Sequence, residues 1–244
     1  MERMMTDHTV TSFDVELRQL AKLVVEMGGI AETMLAEAVD ALRRRDIRMA
    51  QNVIIADGRL DQLQREIEEL SVTMIAKRQP MAVDLRDIVA AMRIASDLER
   101  AGDLAKNIGK RVVAMSGAMS PPKAVGGLVH MSQLVLNQFK TVLDSYTQKH
   151  MDKALEVWRT DGEIDALYNS LFRELLTYMM EDPRNIGFCT HLLFTAKNIE
   201  RLGDHATNIA EIVYFMVTGA SLPTDRPKGP STEATTLASV EVDA

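Results

Sequence analysis

The chain contains its own repeat. Val24 to Leu63 aligns with Leu128 to Leu167 at a constant offset of 104 residues. That alignment matches Met27 with Met131, Asp40 with Asp144, Val53 with Val157, Asp57 with Asp161, Gly58 with Gly162 and Asp61 with Asp165. Ala95 to Ile108 matches Ala196 to Ile209 at an offset of 101, with eight identities in fourteen positions. Pro80 and Pro183 differ by 103. Small drifts of this kind are what short insertions at turns produce. The duplication predicts two copies of one folded unit rather than a single irregular fold.

Hydrophobic spacing defines the unit. Leu17, Leu20, Val24, Met27, Ala31, Met34, Ala38 and Leu42 recur at intervals of three and four, which is the seam of a bundle helix. Arg43-Arg44-Arg45-Asp46 interrupts it, read as a solvated turn ahead of a contact for acidic partners or lipid. A second stripe from Val53 to Met74 runs to Pro80, and a third from Asp84 to Val112 ends at Gly117 and Pro121-Pro122. Only 5% of residues are aromatic, sixteen are Met, and no proline precedes Pro80, a composition that favours helix over sheet. The expected fold is all-α: two tandem three-helix bundles, at residues 12–118 and 122–218. Residues 1–11 are expected to be a loose terminus, with an N-cap at Thr11-Ser12-Phe13-Asp14. Residues 219–244, rich in Pro, Thr, Ser and Gly, are expected to form a disordered tail.

The net charge of −7 argues against a nucleic-acid partner. One cysteine, Cys189, excludes a disulfide framework and suits a reducing compartment. No apolar run approaches the ~18 residues of a membrane span, and the first residues lack the apolar core of a secretory signal. A cytoplasmic location is expected. Met27 and Met131 are assigned to the core, and Trp158 either to the core or to an aromatic anchor for a partner.

The best-matched parts of the repeat are acidic. Asp57-Gly-Arg-Leu-Asp61 and Asp161-Gly-Glu-Ile-Asp165 pair with Glu99-Arg-Ala-Gly-Asp103 and Glu200-Arg-Leu-Gly-Asp204. Each segment sets two carboxylates at i and i+4, on one helical face, where like charges destabilise an isolated helix by about 0.2–0.5 kcal/mol. Within each copy the two pairs are equidistant from Pro80 or from Pro183. If each proline turns an antiparallel hairpin, four carboxylates converge at one height. Glu99 and Asp103 continue the stripe of Leu85, Ile88 and Met92; Glu200 and Asp204 continue that of Ile186, Cys189 and Leu193. Asn107 and Asn208, one turn on, extend the face with neutral oxygens. Gly58, Gly102, Gly162 and Gly203 accompany the pairs at about 0.5–1 kcal/mol each relative to alanine, which suggests close approach of a backbone or an ion.

Gathered carboxylates must be protonated, paired with Arg or Lys, or bridged by cations. Metal binding is the favoured reading, ahead of a solvated salt-bridge face and of a catalytic acid/base pair. Arg100 and Arg201 point about 100° away from the preceding glutamates and cannot readily neutralise them. An all-oxygen set suits Mg, Ca, Mn or iron. No histidine has the Glu-x-x-His spacing of a di-iron oxidase, and His205 is expected at the surface. No phosphate loop, dinucleotide turn or nucleophile elbow is present.

The segments Glu99-Arg100-Ala101-Gly102-Asp103 and Glu200-Arg201-Leu202-Gly203-Asp204, with Arg78-Gln79-Pro80-Met81-Ala82-Val83-Asp84-Leu85-Arg86 and Asp204-His205-Ala206-Thr207-Asn208-Ile209-Ala210-Glu211, resemble the PhoU family. These are bacterial phosphate-specific transport system accessory proteins, and the likeness spans residues 12–218. The resemblance implies a homodimer of duplicated three-helix bundles carrying iron or zinc clusters. The metal ligands it implies are Asp57, Asp61, Glu99, Asp103, Asp161, Asp165, Glu200 and Asp204, with Asn107 and Asn208 as lesser candidates. It also implies a non-enzymatic negative regulator of phosphate-starvation signalling, linking the ATPase subunit of a phosphate ABC transporter to a sensor histidine kinase. Contact with the membrane would come only through those partners. Two further readings are a metal-dependent phosphoester hydrolase and a structural bundle that buffers metal.

Overall fold

The computed structural model describes residues 2–117 and 125–223, with side chains from residue 12 onward. Six long helices carry the fold: α1 (Glu2–Arg44), α2 (Ile47–Arg78), α3 (Val83–Ala114), α4 (Gly126–Gln148), α5 (Met151–Glu181) and α6 (Ile186–Thr218). Among the described residues there is no strand, and no helix is long and apolar enough to cross a membrane. Helices α1–α3 pack together as one bundle and α4–α6 as the other, and the bundles join through α1 against α4 and α3 against α6. The result is a layer ordered α2-α3-α6-α5, covered on one side by α1 and α4. The two bundles share one continuous apolar core that includes Met27, Met34, Leu63, Met131, Phe139 and Leu192, each large side chain contributing about 1.5–3 kcal/mol of burial.

Local chemistry fixes most boundaries. Asp46 caps α2 by accepting the Met49 backbone N–H at 3.0 Å. Arg43 and Arg44 fold back onto Asp40 at 2.6 and 2.7 Å, which keeps the turn charged and exposed. The α2–α3 turn passes through Gln79 and Ala82 at positive φ, on either side of Pro80 and Met81. The α5–α6 turn is a different solution: Pro183–Asn185 forms one 3₁₀ turn, capped by Asp182 through the Arg184 N–H. Gly219, at φ 74°, closes α6 through its N–H to the Phe215 carbonyl.

The start of the chain differs from expectation. Helix α1 runs from Glu2 without a break at Thr11–Asp14. No glycine or proline occurs before Gly28, so nothing halts propagation of the helix. Ser12 does not cap it: its hydroxyl accepts Arg78 Nη2 at 2.9 Å, and Arg78 also pairs with Glu16 at 2.9 Å. The expected Pro121-Pro122 boundary and the tail from 224 onward lie outside the described residues.

Candidate metal centre

Asp57 and Asp161 are acids in core positions. Buried Ala50, Val53, Asp57 and Leu60 of α2 correspond one for one with buried Ala154, Val157, Asp161 and Ile164 of α5. Each aspartate occupies a seam position that its neighbours fill with aliphatic side chains, and only 5% and 4% of their surfaces are exposed. The hairpins then bring the second acidic pair alongside. Burial raises the Glu99 carboxyl above its ordinary value, and the charges of Asp103, Asp61 and Asp57 add to that rise in descending order. All four acids of the first copy therefore lie within electrostatic reach of one another.

The first nest contains its own cation. Lys106 Nζ lies 2.5 Å from Asp57 Oδ2 and 3.0 Å from Asp103 Oδ1. Its pKa is driven well above the lysine range, chiefly by the hydrogen bonds to Asp57 and Asp103. The second nest is arranged differently. Thr207, the counterpart of Lys106 at offset 101, donates its hydroxyl to Asp161 Oδ1 at 3.1 Å. Lys197 sits at the rim, half exposed, 2.7 Å from Glu200 Oε1 and 5.2 Å above the Tyr168 ring. Glu200 Oε2 is buried and has no hydrogen-bond partner. Burial raises the Glu200 pKa, Lys197 opposes the rise, and the charges of Asp204 and Asp165 reinforce it.

Contacts along the α3–α6 seam place the nests relative to each other. His205 Nδ1 donates to Asp97 Oδ1 at 2.8 Å and Asn208 Nδ2 to the same oxygen at 3.3 Å. Farther along, the Arg111 guanidinium lies 4.3 Å above the Phe194 ring. The helices are therefore antiparallel, with Ala101 and Leu202, the centres of the two acidic motifs, within about one turn of each other. The nests flank the seam at one height.

Two expectations need correction. His205 is not a surface residue; it is 9% exposed and held by Asp97 between the bundles. Asn208 donates its amide Nδ2 across the seam to Asp97 Oδ1. Gly102 and Gly203 make room for packed side chains: a Cβ on Gly102 would fall 2.1 Å from Leu60 Cδ1, and one on Gly203 would fall 3.0 Å from Ile164 Cδ1, while Gly58 faces nothing within 4 Å. Trp158 belongs to the core side of its alternatives, 9% exposed with Nε1 donating to Glu211 Oε1 at 3.3 Å. Lys106 and Thr207 were missed as neighbours of the acids. Their positions one turn beyond Asp103 and Gly203 were the available signal.

As placed, no three His, Cys, Asp or Glu side chains among the described residues are gathered closely enough to hold a metal ion in common. The donor chemistry still fits hard cations. Every acidic donor is a carboxylate oxygen, and the buried, unpartnered Glu200 Oε2 is the atom a cation would satisfy.

A duplicated three-helix bundle with mirrored acidic nests defines a class, and the class is met along the whole chain. The PhoU domain matches residues 24–112 and again 128–213. The phosphate-specific transport system accessory protein PhoU homolog of Rhizobium meliloti is 55% identical over 233 residues, covering 96% of this chain and 98% of its own. The homolog of the same name from Caulobacter vibrioides is 53% identical over 224 residues, covering 92% and 97%. The crystal structure of PhoU from Pseudomonas aeruginosa superposes with a TM-score of 0.81 at 36% identity, covering 85% of this chain and all of that one. That of the phosphate transport system regulatory protein PhoU from Streptococcus pneumoniae gives 0.79 at 28% identity, covering 86% and 99%. The chain belongs to the PhoU family.

Proposed function

We propose that this protein is a non-enzymatic accessory regulator of a phosphate-specific transport system, restraining phosphate-starvation signalling when phosphate is plentiful. The observation that supports the reading is similarity over nearly the full length to proteins named as accessory proteins of a phosphate-specific transport system. In this reading it acts in the cytoplasm as a homodimeric adaptor between the transporter's ATPase subunit and a sensor histidine kinase. Its acids supply the means: Asp57, Asp61, Glu99 and Asp103 in one nest, and Asp161, Asp165, Glu200 and Asp204 in the other, would hold iron, zinc or a hard divalent ion. Asn107 and Asn208 stay as lesser candidates, the Asn208 amide Nδ2 being the atom engaged by Asp97. A bound ion would tie α2 to α3 and α5 to α6 by offsetting their mutual repulsion.

The regulatory assignment is tested in a deletion strain carrying an alkaline phosphatase reporter. Constitutive expression in high phosphate, reversed by the intact gene, is expected; unchanged control rejects the role. Metal is tested separately. Elemental analysis of purified protein is expected to find metal that is lost in the Glu99→Ala, Glu200→Ala double variant, and an equal content in both would remove the nests as its site.

A further inference from the structure

The repeat makes the two ends of the α3–α6 seam comparable, and they are chemically unequal. Asp97 corresponds to Asn198, and Asn208 to Asn107, at the offset of 101. At the first end the carboxylate of Asp97 receives both His205 and Asn208. At the second end the acidic position is the neutral Asn198, and polar nitrogens around it are left unmatched. Arg111 Nε, Asn198 Nδ2 and His191 Nδ1 are all buried, and none has a hydrogen-bond partner. His191, Phe194 and Asn198 are spaced three and four apart, forming one stripe of α6. Arg111 lies over the middle of that stripe, its guanidinium 4.3 Å above the Phe194 ring.

The charge at this end is uncompensated. Among the described residues no carboxylate pairs with Arg111, and burial alone lowers its pKa. A guanidinium has donors and no acceptor, and the Asn198 amide nitrogen is also a donor. Water can satisfy such groups singly, but a partly desolvated cation is better met by an anion. Phe194, with 52% of its surface exposed, puts the outer face of the stripe and the guanidinium stacked on it at the protein surface.

We infer that this end of the seam is a binding site for a small free oxyanion of the phosphate or sulfate class, held by the Arg111 guanidinium and the Asn198 amide. The anion supplies the negative charge that Asp97 supplies at the other end. Between the bundles, it would bias how tightly α3 and α6 close. The inference stands independently of metal in the acidic nests.

Inorganic phosphate titrated into the full-length protein, followed by calorimetry with sulfate as competitor, tests it. Saturable binding is expected, weakened at least tenfold by Arg111→Gln. Asn198→Asp should abolish binding by installing the missing acid, while keeping or raising the melting temperature, which shows that the fold is intact. Phosphate held instead by ions in the nests would survive Arg111→Gln and vanish in an Asp161→Asn, Glu200→Gln variant. That pattern, or no saturable binding of either anion to the unaltered protein, overturns the site.

Discussion

The two acidic nests descend from one unit and solve the same electrostatic problem in different ways. In each, an aspartate is buried at a seam position of the second helix of its bundle, and a Glu-x-x-x-Asp pair faces it from the third. The first nest places a lysine inside: Lys106, one turn beyond Asp103, bridges Asp57 and Asp103. The second has a hydroxyl there, Thr207 on Asp161, and keeps its lysine at the rim, leaving Glu200 Oε2 buried and unmatched. The first nest is thus partly self-neutralised, and the second carries the more exposed need for an external cation. In the metal-bound form proposed above, the residue one turn past the acidic motif would set how much charge an ion has to offset.

Exchanging that residue gives the largest expected effect. Lys106→Met would leave Asp57 buried without its ammonium and should destabilise the metal-free protein by about 2–3 kcal/mol. Thr207→Val removes one neutral hydrogen bond and should cost about 1 kcal/mol. Chemical denaturation with chelator present measures both. A double-mutant cycle with Asp57→Asn should show strong coupling to Lys106. Lys106→Thr goes further, since it gives the first nest the side chain of the second. Metal content per chain is then expected to rise, and an unchanged content would break the comparison.

The glutamates give a smaller effect with a defined sign. Both Glu99 and Glu200 titrate above the ordinary 4.5, burial being the first cause in each. A carboxyl raised in the folded state weakens the fold at pH above its raised value. That penalty fades as pH falls through the raised value toward 4.5. Glu200→Gln should therefore raise the melting temperature of the chelated protein at neutral pH, by no more than about 2–4 °C, and flatten its pH dependence in that window. With metal restored the same change should lower it, because a ligand is lost. Glu99→Gln should do less, since Lys106 already places a positive charge in that nest. Equal responses from the two glutamates would erase the distinction.

Much of this arrangement was readable in the sequence for a physical reason: two periodicities carry it. The helical period placed the seams, and the repeat offset, with acids equidistant from Pro80 and Pro183, placed the carboxylates across each hairpin. What escaped depended on contacts between bundles. Nothing local distinguishes His205 from a surface histidine; only the antiparallel packing of α6 on α3 brings Asp97 to it. The same packing sets the Asn208 amide on Asp97. The unbroken α1 was hidden because a polar, unpatterned stretch looks loose, although it holds no residue that stops a helix.

The glycines provide the finest comparison. Replacing a helical glycine by alanine gains about 0.5–1 kcal/mol from backbone entropy. At Gly102 the new methyl would meet Leu60 Cδ1 at 2.1 Å, and Leu60 is fully buried, so its side chain must move within a packed core. Overpacking of this kind costs about 1–3 kcal/mol, and Gly102→Ala should lose stability on balance, by about 1 kcal/mol. At Gly203 the equivalent methyl meets Ile164 Cδ1 at 3.0 Å, a contact a slight side-chain shift relieves, so Gly203→Ala should be nearly neutral. Because Leu60 lies one turn from Asp57, the displaced leucine would also press on the first nest. Gly102→Ala is therefore expected to change metal uptake in the Lys106→Thr background, whereas Gly203→Ala should leave the second nest as it is. If both glycines proved equally intolerant of alanine, their role would be close approach to an ion rather than packing, and the two nests would be alike after all.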